Sequence, residues 1–224
     1  MKIIVCIKQV PDTTEVKLDP KTGRLIRDGV PSIINPDDKN ALEEALRIKD
    51  ENPDTTVTVV SMGPPQADVA MREALAMGAD EAILISGREF GGSDTWATSY
   101  IIATAIKKIP DYDIIFCGRQ AIDGDTAQVG PQIAEQLNIP QITYVQKLDI
   151  EGDKVIVQRQ LEDGYTVVEA KMPVLLTAIK ELNTPRYMTP KGIFEAYNKT
   201  VQVWGFNDVP VDAEKIGLKV LPPT

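Results

Sequence analysis

Histidine is absent from the 224-residue sequence. Because His is the commonest metal ligand and the usual general base near neutral pH, its absence excludes His-built zinc centres, Ser-His-Asp triads and Cys-His dyads within this chain. Chemistry here is therefore expected to come from a bound cofactor or a partner. Cysteine is scarce too: Cys6 and Cys117 are too few, and too far apart in sequence, for a disulfide framework or a metal knuckle. Aromatic residues make up 5% of the chain, a poor supply of stacking platforms for single-stranded nucleic acid. Positive charge is the minority sign, with 24 Lys+Arg against 33 Asp+Glu and a net charge of −9, which argues against a nucleic-acid partner. No apolar run approaches the ~18 residues of a membrane span. The opening run Ile3–Ile7 is shorter than a signal-peptide core. Together these absences point to a cytoplasmic protein.

What is present is alternation. Ile3–Ile7, Thr56–Ser61, Ala82–Ile85 and Asp113–Cys117 are short β-branched apolar runs of the kind buried on both faces of a parallel sheet. Helical segments separate them. One starts at Asn35-Pro36-Asp37-Asp38 with a capping side chain and acidic first turn, and runs to about Asp50 with a narrow apolar face at Leu42, Ala45 and Leu46. A second ends at Gly78, a third follows a cap at Asp94, and a fourth passes through Ile133, Ala134 and Leu137. Strand–helix alternation of this type predicts an α/β fold with a doubly wound, mostly parallel sheet. Glu15–Arg27 reads as a small exposed hairpin around Pro20-Lys21-Thr22-Gly23. After Pro140 the pattern changes to an antiparallel meander, Tyr144–Ile150, Lys154–Leu161 and Tyr165–Ala170, turning at Gly152-Asp153 and Asp163-Gly164. The apolar segment Val174–Ala178 follows, and the tail from Val201 reads as irregular. The expected division is 1–183 for the nucleotide-binding α/β domain with its meander, and 184–224 for a partner-binding loop and C-terminal extension.

In open α/β sheets, ligands bind beyond the carboxyl ends of the strands, where strand order reverses. Loops after Ile7, Ser61, Ile85 and Cys117 reach that edge. The richest is Gly118 to Gly130, which sets Arg119, Gln120, Ala121, Asp123, Gly124, Asp125, Thr126, Gln128, Val129 and Gly130 around a helix start. Free amides at a helix N-terminus suit a phosphate, glycine permits close approach, and the carboxylates suit ribose or ribityl hydroxyls. Asp125 has an alternative role as the helix cap. Asn35 and Asp38 either cap a helix or touch the nucleotide. Met62-Gly63-Pro64-Pro65 fits the same edge or is an ordinary helix start. Cys6 reads as a small buried hydrophobe, with no nearby cation to activate it. No Gly-x-Gly-x-x-Gly follows the first strand and no Walker loop is present, which excludes ordinary NAD-binding Rossmann and P-loop chemistry.

Several segments resemble the β subunits of electron-transferring flavoproteins: Val5–Asp12, Ile34–Asp38, Ser61–Pro64, Ala74–Asp80, Gly118–Gly130, and the stretch from Arg159–Gly164 through Met172–Ala178. The resemblance covers essentially the whole chain. It implies an adenine nucleotide alpha hydrolase-like sheet and a heterodimer with an α subunit that carries its own FAD. It further implies a second nucleotide in this chain, contacted by Cys6, Asn35, Asp38, Met62 and the loop from Gln120 to Gly130. Asp123-Gly124-Asp125-Thr126-Ala127-Gln128-Val129-Gly130 is similar to the FAD-binding, electron-bifurcating type. The alternative is structural AMP, which in the family goes with an acidic residue in place of Gly124. For the bifurcating type the implied activity is hydride acceptance from NADH. One electron then goes through the α-subunit FAD to an acyl-CoA-dehydrogenase-like partner, and the other to ferredoxin or flavodoxin. Arg119 is a candidate counter-charge for reduced flavin, or else a solvated or ion-paired residue. Arg186–Lys191 aligns with the family's partner-recognition loop, with Pro190 where the family usually has an anchoring Leu. Family members also continue into a C-terminal helical arm; the sequence reaches Pro222-Pro223-Thr224 before any such arm, so either this version lacks it or the sequence is part of a longer chain.

Overall fold

The computed structural model describes residues 1–12 and 31–217. The hairpin expected over Glu15–Arg27 lies outside the described residues. Four strands of the first half lie in the central sheet, β1 (Lys2–Cys6), β4 (Thr56–Met62), β5 (Glu81–Ile85) and β6 (Ile114–Gly118), and β2 (Gln9–Pro11) and β3 (Ser32–Ile34) form a separate antiparallel pair. Between them run α1 (Pro36–Glu51), α2 (Asp68–Met77), α3 (Thr95–Ile106) and, after β6, α4 (Val129–Leu137). The meander is β7 (Gln141–Glu151), β8 (Lys154–Gln160) and β9 (Tyr165–Lys171), followed by β10 (Val174–Ala178), α5 (Pro190–Asn198) and β11 (Val201–Trp204).

Nine strands make one sheet in the order β11-β5-β4-β1-β6-β10-β7-β8-β9. All pairings from β11 to β7 are parallel, and β7-β8-β9 are antiparallel. The central strands β1, β4 and β6 are buried on both faces because α1 and α2 cover one side, around Leu42, Leu46 and Met71, while α3 and α4 cover the other, around Ile101, Ile106 and Ile133. This is the doubly wound α/β architecture the alternation predicts.

Three local expectations are corrected. Asn35 does not cap α1, because its side chain is spent on a distant loop. The buried side of α1 is wide, taking in Asn40, Glu43 and Glu44, since the segment around Asn183 and Arg186 lies over its polar side. The tail from Val201 is irregular only after a first strand: β11 pairs in parallel with β5, Val201 opposite Ala82 through Trp204 opposite Ile85, and turns follow it. Val174–Ala178, in turn, is a fully buried strand inserted between β6 and β7.

The chain leaves β5 through α3 and returns on the far side of β1, so sheet order reverses between β1 and β6. The segments leaving those two strands reach helices on opposite faces, and a crevice opens between them.

Candidate functional site at the β1/β6 crevice

The crevice floor is organised by Asp38 in the first turn of α1. Its Oδ2 accepts the Lys8 N–H at 2.7 Å and its Oδ1 accepts the Gly118 N–H at 2.9 Å, so one carboxylate joins the exits of β1 and β6. Gly118 is required here, because a Cβ would run into the Asp38 carboxylate and lie 2.6 Å from the Asp38 amide nitrogen. Burial pushes the Asp38 carboxyl up to about 7, against the opposing pull of hydrogen bonds from Lys8, Asn35 and Gly118.

Asn35 holds the β6–α4 loop. Its amide donates to the Gln120 carbonyl at 2.8 Å, and its Oδ1 accepts the Ile122 N–H at 3.0 Å. Lys8 Nζ reaches across to Asp123 Oδ1 at 2.6 Å, and Gln120 Nε2 donates to Asp125 Oδ1 at 2.8 Å. Asp125 and Ala127 both have left-handed backbone, at φ 49° and 52°. Such a conformation in residues with a Cβ persists only when its surroundings enforce it. Asp125 therefore does not cap α4: Gln128 occupies the cap position, and no side chain caps the helix. The first-turn amides of α4, at Val129 and Gly130, thus have neither an intrahelical acceptor nor a capping side chain. Such an end suits an anion.

Gly124 is the informative glycine of the loop. Its φ is not left-handed, and an added Cβ would meet no protein atom within 4 Å. Neither backbone nor packing demands glycine there. Gly130 differs, since a Cβ would come within 2.9 Å of Thr177 Cγ2, so that glycine serves helix–sheet packing.

Arg119 stands beside Asp37, Nε 3.4 Å from Oδ2, and its guanidinium lies 5.9 Å from the centre of the Tyr144 ring. Burial raises the Asp37 carboxyl, with Arg119 opposing it. Arg119 is thus ion-paired. Cys6 closes β1 in the buried floor and Met62 ends β4, half-buried. The Gly63 amide is not free, since it donates to the Ile85 carbonyl at 3.0 Å.

The structure therefore gathers Asn35, Asp38 and the loop into one hydrogen-bonded unit, and sets Thr126 and Gln128 on its exposed rim. Sequence reasoning missed Lys8, and it missed Thr95, whose hydroxyl donates to Gln128 Oε1 at 2.9 Å. Both residues sit just past a strand end or cap, the one signal that marks them. No group of three or more His, Cys, Asp or Glu side chains that could hold a metal occurs among the described residues. Nor is any helix among them long and apolar enough to cross a membrane.

Fold and crevice define a doubly wound α/β subunit with a preorganised loop at the switch point. Residues 22–209 match the electron transfer flavoprotein domain family, and the chain belongs to that family. It is 66% identical over 223 residues to electron transfer flavoprotein subunit beta of Thermoanaerobacterium thermosaccharolyticum, covering 99% of this chain and 85% of the relative. Identity is 60% over 222 residues to the caffeyl-CoA reductase-Etf complex subunit CarD of Acetobacterium woodii, with coverage of 99% and 85%. It is 53% over 230 residues to the acryloyl-CoA reductase electron transfer subunit gamma of Anaerotignum propionicum, again with 99% and 85% covered.

Proposed function

We propose that this chain is the FAD-binding β subunit of a heterodimeric, electron-bifurcating flavoprotein, with the FAD in the β1/β6 crevice. Gly124 carries the reading. A glycine that neither its backbone nor its packing requires leaves room beside the loop, as a flavin extending past the adenylate half would need. In this reading the Val129 and Gly130 amides receive the pyrophosphate, and Asp125, Thr126 and Gln128 face ribose or ribityl hydroxyls. Cys6, Met62 and Ala121 contribute to the wall. Asn35, Asp38, Lys8 and Asp123 are positioning residues that fix the loop before the ligand arrives. When bound, FAD supplies hydride acceptance from NADH and release of electrons one at a time.

The partners in this reading are the α subunit with its own FAD, an acyl-CoA-dehydrogenase-like enzyme, and ferredoxin or flavodoxin, in the cytoplasm. Two relatives whose names denote acyl-CoA reductase systems support the second partner. The loop before α5 supports it too: Tyr187 is 94% exposed, next to an Arg186 anchored on α1. The test is a nucleotide count on the heterodimer coexpressed with its α subunit and released by denaturation. Two FAD and no AMP per heterodimer is expected. One FAD and one AMP overturns the bifurcating reading.

A further inference from the structure

The chain's two cysteines are both free and buried, with relative exposures of 9% for Cys6 and 6% for Cys117. In the parallel ladder, Ile3, Ile4 and Val5 lie opposite Ile114, Ile115 and Phe116. One residue further along this register, Cys6 faces Cys117. Both side chains belong to the core on the α3/α4 side, with Ile4 and Ile115, so they project from the same face of the sheet. The facing Cys6 thiol, ahead of burial, pushes the Cys117 thiol up. Neighbouring strands run about 4.8 Å apart, which falls inside the roughly 4.4–6.8 Å between α-carbons that a disulfide spans. Directly past the pair, Lys8 and Gly118 are the two residues whose N–H groups Asp38 holds.

We propose that Cys6 and Cys117 form a redox-modifiable thiol pair that closes into a disulfide between β1 and β6 when a low-molecular-weight disulfide reaches the crevice floor. Cys6 attacks one sulfur of the oxidant as its thiolate; a Cys6 mixed disulfide forms and one small thiol leaves with the proton. Cys117 then attacks the Cys6 sulfur, the mixed disulfide breaks, and the second small thiol leaves with the Cys117 proton. Two protein thiols are oxidised and one small disulfide is reduced to two thiols. The new bond joins covalently the strand ends that Asp38 bridges by hydrogen bonds, so the floor becomes the oxidant-responsive part of the crevice. The inference does not depend on which nucleotide the crevice holds.

The heterodimer is treated with 2,2′-dithiodipyridine without denaturant, digested without reduction, and mapped by mass spectrometry. A Cys6–Cys117 cross-linked peptide, lighter than the thiol pair by two hydrogens and reversed by dithiothreitol, is expected. Cys117→Ala should instead stop at the pyridyl mixed disulfide on Cys6. Thiols that stay intact, or a wild-type Cys6 that remains in the mixed disulfide, overturn the proposal. So does a cross-link that forms only after denaturation.

Discussion

At the residue scale the decisive groups are a carboxylate and two glycines. Asp38 is raised to about 7 in the folded protein against 3.8 as the ordinary value. Between those values the folded state binds the extra proton, so the Asp38 contribution to stability is full below about pH 4 and is lost as pH rises through about 7. Asp38→Asn should flatten that slope. It also leaves either the Lys8 or the Gly118 N–H without an acceptor, at a cost of about 1–3 kcal/mol. Thermal midpoints of wild type and variant heterodimer at about pH 5 and about pH 8 test both effects. Gly118→Ala should be worse tolerated, because its Cβ meets backbone at 2.6 and 2.8 Å; a loss of about 1–3 kcal/mol or more is expected. Gly124→Asp is the contrasting case. Stability should stay within about 0.5 kcal/mol of wild type, while the FAD of this chain is lost from the purified heterodimer. If that variant keeps two FAD, the space beside Gly124 is not what admits the flavin. Asp94 was legible as a cap, and it accepts the Ala97 N–H at 2.8 Å. Asn35 was not. The same Asx-before-helix pattern precedes both, and only the folded chain brings Gln120 and Ile122 to the Asn35 amide.

At the element scale, α1 couples two regions. Its N-terminal turn carries Asp38 and follows Asn35, and its later turns hold the chain that leads to α5. The Asn40 amide donates to the Asn183 carbonyl at 2.8 Å, and the Asn183 amide donates to Glu44 at 2.8 Å. Arg186 Nε meets Glu43 at 2.8 Å, and its Nη2 meets Asp50 at 2.7 Å. The hydrogen bond to Glu43, then the one to Asp50, raises the Arg186 pKa further, so its charge does not change near neutrality. Arg186→Ala strands a Glu43 side chain that is 7% exposed, a loss expected at about 1–3 kcal/mol. It leaves the crevice hydrogen bonds untouched, so the nucleotide count should not change while denaturant resistance falls. A drop in bound nucleotide would show that α1 transmits more than stability. The wide buried side of α1 was hidden in the sequence because Asn40, Glu43 and Glu44 read as a solvated polar face. Their partners lie beyond the meander.

At the scale of the whole molecule, the first four parallel strands and their helices were readable, since each is a local apolar run with its own punctuation. The meander was readable from its turn pairs. Sheet order was not: β10 enters between β6 and β7, and β11 adds itself beside β5, both through pairings with no local signature. The crevice could be placed at the strand ends before the order was known, whereas its floor, with Cys6 facing Cys117 just before the strand exits that Asp38 joins, needed the β1/β6 register. The missing histidine has a physical counterpart, because the buried carboxylate of this crevice, Asp38, holds backbone in place; in the proposed reading the redox chemistry falls to the bound nucleotide. The most direct test is anaerobic addition of NADH to the heterodimer while flavin absorbance is followed, in wild type and Gly124→Asp. The account predicts rapid bleaching in wild type that Gly124→Asp abolishes; no bleaching in wild type, or equal bleaching in both, would contradict it.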